Sequence, residues 1–215
     1  MYEFLSGPMV WIAFIIFIAG SLYRIIYMLQ GAKKDKIVFP HMSFKHSVAS
    51  LIHWMIPFNS RYMRQRPIFT IISFAFHICL VFTPIFLLAH IVLFDESWNI
   101  SWWHIPDEVA DWMAIVVIAG GIFYLLRRLT DPVVNNVTDA SDYLLLTIAV
   151  LPFITGFIAY HQWFDNRTMI ILHMIAGEIM LIAIPFTRLS HMLFFVFTRA
   201  YYGSESGYIR RSKDW

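Results

Sequence analysis

The chain has 215 residues, of which 59% are apolar and only 14% are charged, and its mean hydropathy is +0.64. Soluble domains carry about a quarter charged residues, so this composition excludes an ordinary water-soluble fold and indicates an integral membrane protein. The single cysteine, Cys79, excludes a disulfide framework and a cysteine-held iron–sulfur cluster. Any redox cofactor must therefore be held by other side chains, and the nine histidines are the obvious supply.

Five apolar segments are long enough to cross a bilayer, which requires about 20 residues each. In chain order they are residues 8–30, 68–94, 109–126, 143–160 and 169–197. Each is a continuous apolar run rather than the alternating pattern of a barrel strand. The first segment also lacks the basic start and short apolar core of a cleaved signal peptide. The sequence therefore predicts an all-α membrane protein, a single domain over residues 1–215 built as a five-transmembrane-helix bundle.

The distribution of charge predicts how this bundle is oriented. Every Lys and Arg except Arg167 lies near the end of, or in the connection after, the first, third or fifth segment. The opposite side carries Arg167 and seven acids: Glu3, Asp95, Glu96, Asp107, Glu108, Asp111 and Asp165. Basic connections stay in the cytoplasm, so we predict an outer N-terminus and a cytoplasmic C-terminus.

The connection between the first two segments contains an amphipathic helix, predicted over residues 43–58. One face carries Phe44, Val48, Leu51, Ile52 and Met55, and the other carries Lys45, Ser47 and Ser50. Such a helix lies along a membrane surface or covers a partner protein. Two histidines seven residues apart on it, His46 and His53, are interpreted as part of a polar face near the headgroups, with a metal site as the alternative.

Four histidines lie within the apolar segments, where an ionisable side chain costs a few kcal/mol and usually faces the bundle interior. His90 and His173 fall at a similar outer depth, and His77 and His191 fall toward the cytoplasmic side. Paired across antiparallel helices, they form two bis-imidazole sites stacked along the membrane normal. Two axial histidines suit a six-coordinate, electron-carrying haem.

The two histidines of each segment differ in whether they lie on the same face of a helix. His173 and His191 are 18 residues apart and share a helix face, whereas His77 and His90 are 13 apart, about 140° from a shared face. Pro84 lies between the latter two and can kink the helix.

Three further polar residues are candidate contacts for a cofactor or substrate. Glu178 is interpreted either as a proton-transfer group for a quinone or as a hydrogen-bonding partner of a neighbouring helix. Arg188 is interpreted as a contact of haem propionates or of lipid headgroups. His161, close to the outer surface, is a candidate quinone or proton contact.

The fifth segment carries the arrangement H-x3-G-x7-P-F-[ST]-R-L-x-H over residues 173–191. This arrangement resembles the last helix of the gamma subunit of respiratory nitrate reductases, a five-helix dihaem cytochrome b. The run Arg127-Arg128-Leu129 with Asp131-Pro132 and Asp142 resembles the third cytoplasmic turn of that family, and Phe76-His77 resembles its first haem-ligand position.

The resemblance implies two non-covalent haems b in a bacterial or archaeal cytoplasmic (inner) membrane. The inner haem takes His77 and His191, and the outer haem takes His90 and His173. Candidate propionate contacts are Arg188, Arg127 and Arg128. Menaquinol or ubiquinol oxidation is expected beside the outer haem, with Glu178 and His161 as candidate contacts. Electrons are expected to pass to a cytoplasmic iron–sulfur subunit.

Three traits look more like another branch of the family. They are the 13-residue histidine spacing, the short connection at residues 161–168 and Glu178 at a normally apolar position. This branch comprises the gamma-like cytochromes b of sulfate-reducer transmembrane redox complexes. Those proteins pair with heterodisulfide-reductase-like iron–sulfur subunits in the cytoplasm and with multihaem cytochromes c in the periplasm.

The leading hypothesis is an electron-transfer subunit that does not complete a reaction alone. The alternative from another class is a transporter or channel whose histidines bind a metal ion or relay protons without haem. A purely structural membrane anchor explains five spans but gives four intramembrane histidines no role. Haem absorption bands discriminate the first hypothesis from the other two.

Overall fold

The computed structural model describes residues 2–212, is 83% helical and contains no strand in that range. The α-helices, in chain order, are α1 (Tyr2–Phe4), α2 (Val10–Lys34), α3 (Phe44–Met55), α4 (Arg61–Gln65), α5 (Pro67–Phe86), α6 (Leu88–Trp98), α7 (Asp107–Thr130), α8 (Pro132–Asn135), α9 (Ala140–Tyr160), α10 (Asn166–Phe186) and α11 (His191–Tyr202). A π-helical turn joins α1 to α2, and another follows α11 over Gly203–Ile209.

Five helical stretches among the described residues are long and apolar enough to cross a membrane. They are Tyr2–Lys34, Pro67–Phe86, Asp107–Thr130, Ala140–Tyr160 and Asn166–Phe186. The prediction of an all-helical membrane protein with five spanning helices is therefore confirmed.

The second and fifth predicted segments are each divided into two helices. α5 ends at Phe86, and α6 begins after Leu87, whose ψ angle of 127° is extended. α10 ends at Phe186, and α11 begins only at His191, after an extended Thr187 and a short 3₁₀ turn. Both breaks follow a proline, Pro84 or Pro185, which removes a backbone N–H and crowds the preceding turn. As a result, His90 and His191 belong to shorter helices outside the five spanning stretches.

The chain forms two compact units. One contains Glu3–Ile71 together with the described residues from Glu178 onward, and the other contains Ile72–Gly177.

In the first unit, α3 packs against α11 and the Gly203–Ile209 turn through its small polar face. Ser47 and Ser50 are buried, and a Cβ at Gly203 would lie 2.5 Å from the backbone oxygen of His46. The Ser47 hydroxyl donates to the Ala200 carbonyl at 2.9 Å. The close approach therefore depends on small side chains on both partners. It leaves the apolar face of α3 exposed, with Phe44 84% accessible.

In the second unit, two consecutive glycines let α7 pack closely on two neighbours, α9 at Gly121 and α5 at Gly120. A Cβ at Gly121 would lie 2.7 Å from Val150, and one at Gly120 would lie 2.7 Å from the ring of Phe76. α9 begins with a capping box between Asp139 and Asp142. These contacts place α9 where its later turns can support a histidine of α10.

Candidate functional site

Two of the four predicted ligand histidines are brought together in the second unit. The imidazole rings of His90, in α6, and His173, in α10, have centroids 6.0 Å apart and planes inclined by only 17°. The sequence predicted this pair from depth alone, and the structure places the two rings close together with nearly parallel planes.

Hydrogen bonds set the tautomer of both rings. His90 Nδ1 lies 2.8 Å from the Pro84 carbonyl oxygen, and His173 Nδ1 lies 2.9 Å from the Pro152 carbonyl oxygen. A carbonyl oxygen only accepts, so each Nδ1 carries the proton and each Nε2 carries the lone pair. Metal-binding histidines commonly donate their second ring N–H to a backbone carbonyl in this way. The pair therefore presents two neutral nitrogen donors.

The helix break at Leu87 makes the Pro84 carbonyl available. In a continuous helix, the carbonyls of residues 84–86 would accept from the N–H groups of residues 88–90. Instead, the Pro84, Ile85 and Phe86 carbonyls accept from His90 Nδ1 at 2.8 Å, Trp102 Nε1 at 2.9 Å and the Ile105 N–H at 3.0 Å, respectively. Unpaired carbonyls are costly in a bilayer, so these three donors stabilise the break. Because Leu87 is extended, the 140° phase difference calculated for a continuous helix does not apply across the break.

The ring of His173 lies against the backbone of α9 at a glycine. A Cβ at Gly156 would be 2.9 Å from His173 Cε1 and 3.0 Å from its Nδ1. Thr155 Oγ1 lies 3.5 Å from the same Nδ1. Sequence reasoning missed both Pro152 and Gly156. Their presence four residues apart in the middle of an apolar segment was the available signal.

His77 and His191 adopt the same tautomer as the central pair. His77 Nδ1 donates to the Ser73 carbonyl and His191 Nδ1 donates to the Arg188 carbonyl, both at 2.7 Å. His77 belongs to the second unit and His191 to the first. All four predicted ligands thus use Nδ1 for a backbone carbonyl, which assigns the ligand role to Nε2.

Among residues 2–212, no three His, Cys, Asp or Glu side chains come together as a metal site. His46 and His53 instead pair through Nδ1 with Ser43 Oγ at 2.8 Å and Asn59 Nδ2 at 3.1 Å.

The predicted arginines differ in their surroundings. Arg128 is 3.3 Å from Asp142 in the first turn of α9, and Arg127 is 3.8 Å from Asp131, which follows α7. Arg188 opens the 3₁₀ turn that precedes α11.

Glu178 is 5% exposed, and its Oε1 has no hydrogen-bond partner within the described part of the chain. Burial of Glu178 with Oε1 unpartnered is an unusual environment for a carboxyl group.

His161 ends α9 and pairs with a residue that sequence reasoning did not select. Its Nε2 lies 3.0 Å from Asp111 Oδ1, and Asp111 belongs to the second turn of α7. Three aromatic rings surround the imidazole, those of Phe157 at 4.4 Å, Tyr160 at 5.2 Å and Trp163 at 5.5 Å between centroids.

No family model matches the chain. The chain is 36% identical over 210 residues to a protein of Nitratidesulfovibrio vulgaris strain Hildenborough, which covers 95% of this chain and 93% of that relative.

Proposed function

We propose, on the premise that this chain belongs to the same family as the Nitratidesulfovibrio vulgaris protein, that it is a dihaem cytochrome b that carries electrons across a membrane. The His90–His173 pair is the observation that carries this proposal. Two imidazole nitrogens that bind one metal ion from opposite sides, at about 2.0–2.1 Å each, have ring centroids roughly 6 Å apart. The separation of 6.0 Å and the shared tautomer are consistent with that arrangement.

The outer haem b of this proposal is held by His90 and His173. The inner haem b is held by His77 and His191, a pairing that rests on their depth in the sequence and on the resemblance to the gamma subunits. Arg188, Arg127 and Arg128 remain the candidate propionate contacts. A bis-histidine haem supplies one-electron transfer and leaves no iron position open to a substrate. The protein is therefore proposed as an electron-transfer subunit rather than a complete enzyme.

The proposed orientation has the N-terminus outside and the basic connections in the cytoplasm of a bacterial or archaeal cell. The electron donor or acceptor on the outer side is a menaquinone or ubiquinone, or a periplasmic multihaem cytochrome c. On the inner side, the partner is a nitrate-reductase-like or heterodisulfide-reductase-like iron–sulfur subunit. The exposed apolar face of α3 and the nearby lysines are the proposed docking surface for it.

Glu178 and His161 are the proposed quinone or proton contacts. The burial of Glu178 without a partner for Oε1 supports a role in holding a proton, since an isolated carboxylate is unfavourable in such surroundings.

The deciding experiment is a reduced-minus-oxidised visible spectrum of the full chain purified in mild detergent, with haem and metal contents measured on the same sample. We expect the bands of low-spin b-type haem and two haems per chain. Stoichiometric metal ion without haem would overturn the proposal and favour the histidine-based transporter. A sample that contains neither haem nor a metal ion would overturn the proposal and favour a purely structural membrane anchor.

A further inference from the structure

The histidine–carboxylate pair at the end of α9 is a second place where the second unit orients an imidazole. His161 Nε2 faces Asp111 Oδ1 at 3.0 Å, and the two side chains are 31% and 24% exposed. Asp111 lies on α7 and His161 lies 50 residues later, so only the packing of α7 against α9 brings them together. Neither residue takes part in the His90–His173 pair.

The backbone at this helix end holds the aromatic side chains around His161. The Trp163 N–H donates to the Ile158 carbonyl and the Gln162 N–H donates to the Ala159 carbonyl, which is the Schellman arrangement of a helix terminus. Gln162 takes the left-handed conformation, with φ of 54°. This turn brings the Trp163 ring back to within 5.4 Å of Phe157 and 5.5 Å of His161.

The carboxylate determines which nitrogen of His161 accepts. Asp111 accepts the Nε2 proton, so neutral His161 keeps its lone pair on Nδ1. Among the described residues, Nδ1 makes no hydrogen bond. An imidazole oriented by a carboxylate on its far nitrogen is the usual arrangement of a group that accepts a proton or hydrogen bond from a substrate.

We propose that the His161–Asp111 pair binds the headgroup of a membrane hydroquinone, whose ring hydroxyl donates to His161 Nδ1. The ligand's flat ring suits the neighbouring Phe157, Tyr160 and Trp163. The site lies at the end of a spanning helix, so a lipid-soluble ligand reaches it from the bilayer. His161 is five residues after Gly156, about 8 Å further along α9 than the turn that supports His173. The redox role of this hydroquinone, as an electron donor to the haems, rests on the function proposed above.

Asp111 acts as a positioning residue in this proposal, and its removal has a specific consequence. An asparagine at position 111 can donate its amide N–H to Nε2, which moves the imidazole proton to Nδ1. Nδ1 then donates rather than accepts, so the site no longer suits a hydroxyl donor. It suits instead the carbonyl of the oxidised quinone. If Asp111 only stabilised the fold, its replacement would not reverse the preference for the reduced over the oxidised form of the quinone.

The test is equilibrium binding of a short-tailed naphthoquinone to the full chain in lipid nanodiscs, measured separately for its reduced and oxidised forms under anaerobic conditions. For the wild-type chain we expect tighter binding of the reduced form. For Asp111→Asn we expect the reduced form to bind about tenfold more weakly and the order to reverse. Asp111→Glu should keep the wild-type order. His161→Gln should bind the reduced form about tenfold more weakly.

Asp107→Asn, in the first turn of the same helix, is the matched control and should bind as the wild type does. Unchanged binding in both His161→Gln and Asp111→Asn would overturn the inference, and so would a loss of binding in Asp107→Asn. Haem spectra of the same samples separate this result from the proposed function. If the samples contain haem but quinone binding does not depend on His161, the hydroquinone site alone is refuted. If quinone binding depends on His161 but the samples contain no haem, the dihaem proposal alone is refuted.

Discussion

At the scale of single residues, the chemistry of the histidine pair depends on where each imidazole carries its proton. His90 and His173 both donate Nδ1–H to a proline carbonyl. Nε2 of each ring therefore carries the lone pair with which an imidazole binds a metal ion. The Pro84 carbonyl is available because the helix breaks at Leu87, whereas the Pro152 carbonyl lies within the continuous helix α9 and also accepts from Thr155 Oγ1. The break after Pro84 thus helps to orient His90, while His173 is oriented from within the unbroken helix α9.

Replacement of one ligand should affect one cofactor. His173→Ala should remove the proposed outer haem and retain the proposed inner one, halving the haem-to-protein ratio, because only one of the two histidines that would hold the outer haem remains. The ratio is measured by extraction and absorbance, and a redox titration identifies the haem that remains. His104→Ala, which alters a histidine outside the proposed ligand set, is the control. Retention of both haems in His173→Ala would show that the ligands are paired differently.

Gly156 should be as sensitive to substitution as a haem-ligating histidine, although it would not itself contact the iron. A methyl group there would lie 2.9 Å from His173 Cε1, so Gly156→Ala should displace the imidazole at a cost of about 1–3 kcal/mol. We expect reduced occupancy of the outer haem or an altered low-spin signal in electron paramagnetic resonance. Gly177→Ala is the matched control, because nothing lies within 4 Å of a Cβ at that glycine. Equal spectra for the two variants would contradict the assigned packing.

The pair of Tyr201 and Asp35 should make stability depend on pH in the first unit. The Tyr201 hydroxyl donates to Asp35 Oδ2. Burial and this hydrogen bond raise the pKa of Tyr201 to about 12, and the same bond lowers the pKa of Asp35. The raised tyrosine pKa contributes stability below pH ~10 that is lost as pH rises toward 12, and the lowered aspartate pKa contributes stability that is lost in acid below about pH 4.

Tyr201→Phe should therefore lower the melting temperature most between about pH 5 and pH 9, with the difference shrinking toward pH 11. Thermal unfolding in detergent, followed by circular dichroism over this range, measures it. Tyr202→Phe is the control with an adjacent ring. A pH-independent difference between Tyr201→Phe and the wild type would contradict the assignment.

At the scale of elements, the division of the second predicted segment shapes the surroundings of the His90–His173 pair. Local hydropathy runs without interruption through residues 68–94, so composition predicts one helix. The structure instead places Leu87 in an extended conformation, and the loop before α7 returns to form a parallel bridge between Ile105 and Leu87. Donors from that loop satisfy two of the three carbonyls that the break releases.

Trp102→Phe tests this role of the loop. The change keeps a large aromatic ring but removes the Nε1 donor to the Ile85 carbonyl, so we expect a loss of about 1 kcal/mol in the free energy of unfolding. Chemical or thermal unfolding in detergent measures this loss. Trp103→Phe is the matched control because Trp103 has a ring contact with Phe86 rather than this hydrogen bond. Equal stability of the two variants would argue against the loop's role.

α3 shows how packing overrides a simple amphipathic pattern. Its pattern predicts a polar face and an apolar face, and a polar face would ordinarily be solvated. Ser47 and Ser50 are buried instead, because small side chains let α11 and the following turn approach closely. Ser50 also accepts a hydrogen bond from Arg199, whose guanidinium lies 4.4 Å from the Trp54 ring centroid. The apolar face is consequently the one available to a membrane or a partner.

At the scale of the whole molecule, the proposal requires a defined orientation in the membrane, and the single cysteine makes that orientation measurable. In a Cys79→Ser background, a membrane-impermeant maleimide added to intact cells should label Asn166→Cys and not Lys36→Cys. Both positions are exposed, and the positive-inside rule assigns them to opposite sides. Disrupted cells should allow labelling of both. If only Lys36→Cys were labelled in intact cells, the chain would have the opposite orientation in the membrane to the one proposed.

The sequence by itself determined that this is a five-span helical membrane protein and that four of its nine histidines lie in two of the apolar segments. Those properties are local, since hydropathy over about 20 residues is sufficient to predict a spanning helix. The proximity of His90 and His173, their tautomers and the His161–Asp111 pair were decided only by the tertiary structure. Each depends on a helix break or on the close approach of segments distant in the chain, and neither residue type nor spacing specifies which carbonyl, glycine or carboxylate will face an imidazole.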